Sequence, residues 1–333
     1  MSLIQTFIAA TVIAMLSMPS LASSPAQLWK VEGWQKTDFT KKSIDLRKIL
    51  SGGPPKDGIP SIDNPVFKPV SEEKTLTPTA PVIGLEINGE ARAYPLQILM
   101  WHEIVNDMVG GKPVTVTYCP LCNAAIVFDR TVDGRVLDFG TTGKLRNSDL
   151  VMYDRQTETR WQQFTGEAIV GSQTGSELTV LPSRLESLEQ FRERHPNGKV
   201  LVPSNPELRD YGRNPYVSYD SRKRPYPLYR GSMPEGIGAM ERIVVVRENG
   251  KPMAVTMELV RKKQSYQLGA ALISWRKGQA SALDTADIAQ GRDVGTIIVQ
   301  RKDGSGKLQD VPYDVTFAFV FHAFHPDETI TMQ

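Results

Sequence analysis

The chain has 333 residues, of which 40% are apolar and 23% charged, with a net charge of +2. That balance belongs to a globular protein long enough for one large domain or two ordinary ones. Near-zero charge and the lack of a basic stripe or nucleic-acid module argue against a nucleic-acid partner, and Arg222-Lys223-Arg224 before Pro225 reads as a solvated loop.

No charged side chain precedes Lys30, and an apolar run from Phe7 to Leu16 leads to Pro19 and the small-residue pattern Ser20-Leu21-Ala22. This predicts a signal peptide over residues 1–22 and a periplasmic or secreted mature protein. The run is about half the ~20 residues that a membrane span requires. No later stretch is long and apolar enough, so no span is expected after signal removal.

Residues 23–80 read as an irregular N-terminal arm, with turn signals at Gly52-Gly53-Pro54-Pro55 and Asp57-Gly58-Ile59-Pro60. Residues 81–333 read as a single β-rich domain. Val82–Ile87 and Glu90–Tyr94 flank Asn88-Gly89, a strong hairpin signal. A helix is predicted from Pro95 to about Met108, stopped by Gly110-Gly111, with Leu96, Met100, Trp101, Ile104, Val105 and Met108 on one face. Strands follow near Val114–Tyr118 and Ala124–Phe128. A second helix is predicted over Arg184–Arg194 from a capping-box pattern at Ser183 and Glu186. The loop from Val202 to Pro234 reads as a flap. From Ile243 to Phe321 the pattern is mostly strand, with hairpins at Asn249-Gly250 and Asp303-Gly304 and a last apolar strand over Val315–Phe321. The fold class expected is α+β, mainly antiparallel sheet with a few helices and long loops.

Phe128-Asp129-Arg130 is echoed by Tyr153-Asp154-Arg155, which predicts two successive hairpins of one sheet. Trp161, Gln162, Gln163, Thr165 and Glu167 read as alternating strand residues, with a pocket lining as the other reading.

Cys119-Pro120-Leu121-Cys122 holds the only two cysteines. Two thiols so spaced can close a small disulfide ring or chelate a metal. A bridge over so short a loop gains little closure entropy, which makes a purely structural disulfide an inefficient use of them. The pair runs into a strand rather than a helix, so no helix dipole lowers a thiol pKa and another group must do so. Of the four histidines, His195 ends a helix before Pro196 and His322 has no assigned place. His102 lies off the apolar face of its predicted helix, and His325 emerges after a predicted core strand.

Asp57-Gly58-Ile59-Pro60-Ser61-Ile62-Asp63, His102-Glu103-Ile104-Val105-Asn106-Asp107, Thr117-Tyr118-Cys119-Pro120-Leu121-Cys122, Asp129-Arg130, Trp161-Gln162-Gln163-Phe164-Thr165-Gly166-Glu167-Ala168 and Ala323-Phe324-His325-Pro326-Asp327 together resemble DUF3179, a domain family of unknown function. Some of its relatives are described as candidate selenoproteins, and the resemblance therefore implies a redox or nucleophilic role for one position of the cysteine pair. Carried over residue by residue, it selects His102, Cys119, Cys122 and His325. The reading is an exported thiol-active, oxidoreductase-like protein: Cys119 the reactive sulfur, Cys122 the resolving partner, His102 or His325 the base or cation, and a thiol, disulfide or small molecule as partner. A second reading is a metal-binding protein without turnover, with those four residues holding a soft transition metal such as copper or zinc. A third is a structural or ligand-binding module with a small disulfide.

Overall fold

The computed structural model describes residues 24–248 and 250–333. The expected signal peptide lies outside them, as does Asn249 of the second hairpin signal. Among the described residues no helix is long and apolar enough to cross a membrane.

The arm from residue 24 to 80 holds only short elements, α1 (Pro25–Val31), β1 (Ile49–Ser51) and β2 (Val66–Pro69), among irregular stretches. It is anchored on Arg160, a fully buried guanidinium packed against the rings of Trp34, Trp29 and Phe39 at 4.3, 4.7 and 5.1 Å.

The body begins with β3 (Pro81–Ile87) and β4 (Glu90–Pro95). Their turn is Asn88-Gly89, with φ of 51° and 82°, as the hairpin signal requires. Next, α2 (Leu96–His102) is much shorter than expected. Glu103 turns left-handed at φ 57°, and the β-branched pair Ile104-Val105 enters β5 (Ile104–Val109), facing Thr117 and Val116. The apolar residues assigned to the far half of a helix face are therefore strand residues. The predicted strands are β6 (Lys112–Cys119) and β7 (Ala124–Asp129), which complete a three-stranded sheet.

A segment of small strands follows: β8 (Thr131–Val132), β9 (Arg135–Val136), β10 (Phe139–Arg146), β11 (Asp149–Asp154), β12 (Arg160–Gln162) and β13 (Ala168–Val170). β1, β10, β11, β12 and β13 form one sheet, so the echoed Asp-Arg pairs close strands of two different sheets rather than hairpins of one. Trp161 and Gln162 are both buried instead of alternating.

The helix predicted from Arg184 is half strand. β14 (Arg184–Ser187) pairs with β3, and α3 (Leu188–Arg194) starts only after Ser187, whose hydroxyl accepts from Gln190 N. The proposed capping residue Glu186 instead pairs with Arg194. β15 (Lys199–Val202) then runs parallel to β4 and antiparallel to β2.

The remaining elements are β16 (Arg242–Glu248), β17 (Lys251–Thr256), α4 (Met257–Lys263), β18 (Ser265–Leu268), β19 (Ala271–Arg276), β20 (Thr296–Lys302), β21 (Leu308–Asp310), β22 (Tyr313–Phe317), α5 (Ala318–Phe324) and β23 (Ile330–Thr331). The expected strand through Phe321 stops at Phe317. Its apolar continuation is a helix with Phe319, Val320 and Phe321 fully buried, a case in which hydrophobicity all round conceals the period.

These elements repeat those of the first part. β16, β17 and α4 begin and end 161 residues after β3, β4 and α2. Gln264 follows α4 at φ 62°, ψ −26°, where Glu103 follows α2 at φ 57°, ψ −31°. The carbonyl of Glu103 accepts from Tyr118 N, and that of Gln264 from Trp275 N. β14 meets β3 as β22 meets β16: Ser187 faces Pro81, and Phe317 faces Arg242. β15 and β23 run parallel to β4 and β17, with Val200 opposite Ala93 and Ile330 opposite Ala254. The body thus contains one strand-and-helix unit twice, with β8–β13 present only in the first part, which no sequence motif had announced.

Among the described residues strand outweighs helix, 39% to 15% with the short 3-10 turns counted, and the five larger sheets sit in a propeller-like arrangement. The expected mixed α+β layout gives way to a β architecture in which, among the described residues, five helices of seven residues each serve as short connections. Both cysteines lie inside the largest apolar core.

Candidate functional site

The Cys119–Cys122 turn closes the β6–β7 hairpin. Cys119 pairs with Ala124, Cys122 N donates to the Cys119 carbonyl at 3.2 Å, and Asn123 N to that of Pro120 at 3.2 Å. Asn123 takes φ 52°, a left-handed position that asparagine tolerates, and this lets the chain re-enter the sheet. Both thiols are free and buried.

A second hairpin supplies the opposite wall. Between β10 and β11 the two-residue turn Asn147-Ser148 has φ of 54° and 65°. The Ser148 carbonyl thereby faces both sulfurs, accepting from Cys122 Sγ at 3.6 Å and Cys119 Sγ at 3.7 Å. The next residue, Asp149, places a carboxylate oxygen beside the thiols: the two Sγ atoms and this oxygen all lie within 4.8 Å of one another. Asp149 Oδ2 accepts from Gln162 Nε2 at 2.5 Å and Phe164 N at 2.9 Å, while Oδ1 has no partner. Ser148 Oγ is another buried atom without a partner. A carboxylate oxygen beside two sulfurs, on a buried carboxyl with one oxygen unpaired, is a donor set for a cation.

The field of the site is negative. Burial pushes the Cys119 thiol above its ordinary range and Cys122 well above it. Burial also pushes the Asp149 carboxyl up to about 6 and the Glu103 carboxyl up to about 8, with Asp149 adding to the latter by charge repulsion. Among the described residues no Lys, Arg or His pairs with either thiol or either carboxyl. The guanidinium of Arg146 stays one side chain removed, donating to Gln162 Oε1 at 3.1 Å while Gln162 donates to Asp149.

The linker between β15 and β16 roofs the turn. Tyr219 donates its hydroxyl to the Leu121 carbonyl at 3.1 Å and packs its ring against Tyr226 and Phe317. The loop read as a flap is therefore docked on the cysteine turn.

The two selected histidines do not join the thiols within ligand reach. His102 is buried at the end of α2, with Nδ1 2.7 Å from the Pro60 carbonyl and Nε2 2.7 Å from the Tyr211 hydroxyl. A carbonyl only accepts, so Nδ1 carries the proton and Nε2 accepts from Tyr211. Both nitrogens are thus occupied, and burial keeps the ring neutral by lowering its pKa. His325 caps α5 before Pro326, as His195 caps α3 before Pro196. The backbone angles are φ −136°, ψ 63° and φ −133°, ψ 69°, and each ring lies 5.2 Å from the phenylalanine one turn earlier, Phe321 or Phe191. His325 thus shares the helix-end position of His195, but its buried Nε2 has no hydrogen-bond partner among the described residues, whereas that of His195 meets Arg194. Of the four residues selected from the sequence, Cys119 and Cys122 come together with Asp149 beside them, while His102 and His325 are not in that group. Asp149 stands 27 residues beyond Cys122, at a distance that carries no ligand-spacing signal.

Fold and site together define a β-rich protein built on a duplicated sheet-and-helix unit, with a buried dithiol–carboxylate centre in its first copy. The chain belongs to the family DUF3179, described as a protein of unknown function, whose model matches residues 56–328 and so covers the centre and all of the two copies but the last strand. No curated protein and no solved structure matches it.

Proposed function

We propose that this protein is an exported metal-binding protein that holds one soft or borderline transition-metal ion, zinc or copper, through Cys119, Cys122 and Asp149. The observation that carries the reading is the convergence of two sulfurs and a carboxylate oxygen within 4.8 Å in a buried, negatively poised pocket. A cation there stabilises the ionised form of every donor, which burial alone disfavours. Thiolate ligands select zinc, copper(I) or iron–sulfur centres over hard cations. Elemental analysis of protein from its native compartment, with a free-thiol count before and after chelation, tests the proposal. One equivalent of metal, with both thiols reactive only after chelation, supports it. Metal-free protein that also takes none up from added Zn2+ or Cu+ rejects it.

A second reading, dithiol–disulfide exchange, is favoured by Asp149 standing beside both sulfurs, where it can accept a thiol proton. The two cysteines would then reduce a disulfide substrate to two thiols and close a Cys119–Cys122 bond. A Cys119–Cys122 bond that an added disulfide forms and a dithiol reopens would support that chemistry. The burial of both sulfurs and the lack of a paired cation make it the weaker reading.

A further inference from the structure

We infer that Glu103 is the fourth functional group of this centre, an outer carboxyl that acts on whatever ligand occupies the coordination position left by Cys119, Cys122 and Asp149. The inference rests on the metal reading above and names a residue that the reading does not use.

The duplicated unit supplies an internal control. Glu103 and Gln264 hold the same place: each follows a seven-residue helix, adopts the left-handed conformation, and offers its carbonyl to a strand amide, Tyr118 or Trp275. The fold therefore requires a left-handed residue at this position and does not require an acid. In the second copy the side chain is solvent-exposed, and its amide nitrogen donates to the Arg261 carbonyl. In the first copy the side chain turns inward, is only 8% exposed, and among the described residues finds no hydrogen-bond donor. Burying a carboxyl without a donor is unfavourable, and the helix, strand and turn form equally well in the other copy without one. A left-handed glutamate buried in this way is a local conflict of the kind that functional sites retain.

The surroundings say what the carboxyl serves. The Glu103 carbonyl accepts from Tyr118 N at 2.8 Å and Ile104 pairs with Thr117, so Glu103 stands beside the strand that ends in Cys119, and the charge of Asp149 is felt at its carboxyl. It is not one of the groups whose ligand atoms all fall within 4.8 Å, so it stands outside the donor trio. Three protein donors leave a tetrahedral ion one position for water or a small protic ligand. In this assignment the Glu103 carboxyl hydrogen-bonds that ligand from outside the donors. The turn that corresponds to Cys119–Cys122 in the second copy reads Arg276-Lys277-Gly278-Gln279, so that copy keeps neither the donors nor the acid.

The test compares E103Q with the intact protein. Glutamine already occupies this conformation in the second copy, so E103Q is expected to fold and to melt cooperatively. Zn2+ affinity, read by competition with a chromophoric chelator, should fall about tenfold to a hundredfold. The visible bands of the Co2+ form should shift, which a purely structural role would not cause. Q264E should leave both readouts unchanged. If E103Q fails to fold, E103G, suited to the positive φ, carries the same measurements. Affinity within about twofold of the parent protein together with a superimposable Co2+ spectrum would overturn the inference. If C119S then still abolished binding, the three-donor centre would stand without Glu103. If the intact protein bound neither ion, the underlying metal reading would fail instead.

Discussion

The sharpest consequence of the geometry is that the metal-free centre should work against stability, and that Asp149→Asn should reveal it. Asp149 is fully buried and its carboxyl is pushed from 3.8 up to about 6. A rise of roughly two units at ~1.4 kcal/mol each is a penalty of about 3 kcal/mol once the group must ionise in the folded chain. The folded state binds the proton more tightly than the unfolded state. The stabilising contribution is therefore complete below about pH 4 and is lost as pH rises through about 6. Asparagine keeps an oxygen to accept from Gln162 and Phe164 and has no charge to bury. In chelator-treated protein, D149N should raise the denaturant midpoint at pH 7, by up to about 3 kcal/mol of unfolding free energy, with the difference closing toward pH 4. Added zinc should reverse the order, since a ligand at a thousand times its Kd stabilises the binding-competent protein by about 4 kcal/mol. If metal-free D149N were no more stable than its parent at pH 7, or if the difference were as large at pH 4, the reasoning from burial would be wrong.

Three further outcomes follow from named contacts. Replacing Asn88-Gly89 by two valines should lower the melting temperature by several degrees, because both positions are left-handed, at about 1–2 kcal/mol each for a branched residue, and the Asn88 bond to the Gly110 carbonyl is lost; an unchanged transition would contradict the turn. Arg160→Ala should release the arm at a cost of about 2 kcal/mol or more, since the guanidinium fills the space between Trp29, Trp34 and Phe39; limited proteolysis should then cut before β1 while sparing the body, and resistance equal to the parent's would contradict the anchor. The exported chain should begin near Ser23, as the short apolar run and small residues imply; N-terminal sequencing that finds Met1 on membrane-bound material would contradict it.

Local chemistry made part of this molecule legible in advance. Asn88-Gly89 has one favoured backbone solution, and the hairpin it predicts is present. Strands β6 and β7 were visible because β-branched and aromatic residues run between turn signals. The cysteine pair stood out by its rarity, and the ordered motifs carried the family. Helix limits were not legible where a buried segment is apolar on every side, as in α5, or where one left-handed residue ends a helix and sends its apolar residues into a strand, as at Glu103. The repeat was hidden because what the copies share is backbone register and cap geometry rather than side chains.

The sequence by itself therefore determined the β-rich class, the first hairpin and the identity of the two sulfurs. The tertiary structure decided what surrounds them. Asp149 reaches the thiols only because a two-residue turn folds the β10–β11 hairpin back over the cysteine turn. His325, selected with the cysteines by the motif, sits at the end of a repeated helix against Phe321. Spacing along a chain limits which groups can meet, but the pairing of distant strands chooses which of them do. That pairing is settled by burial of the whole apolar core, which no single motif encodes.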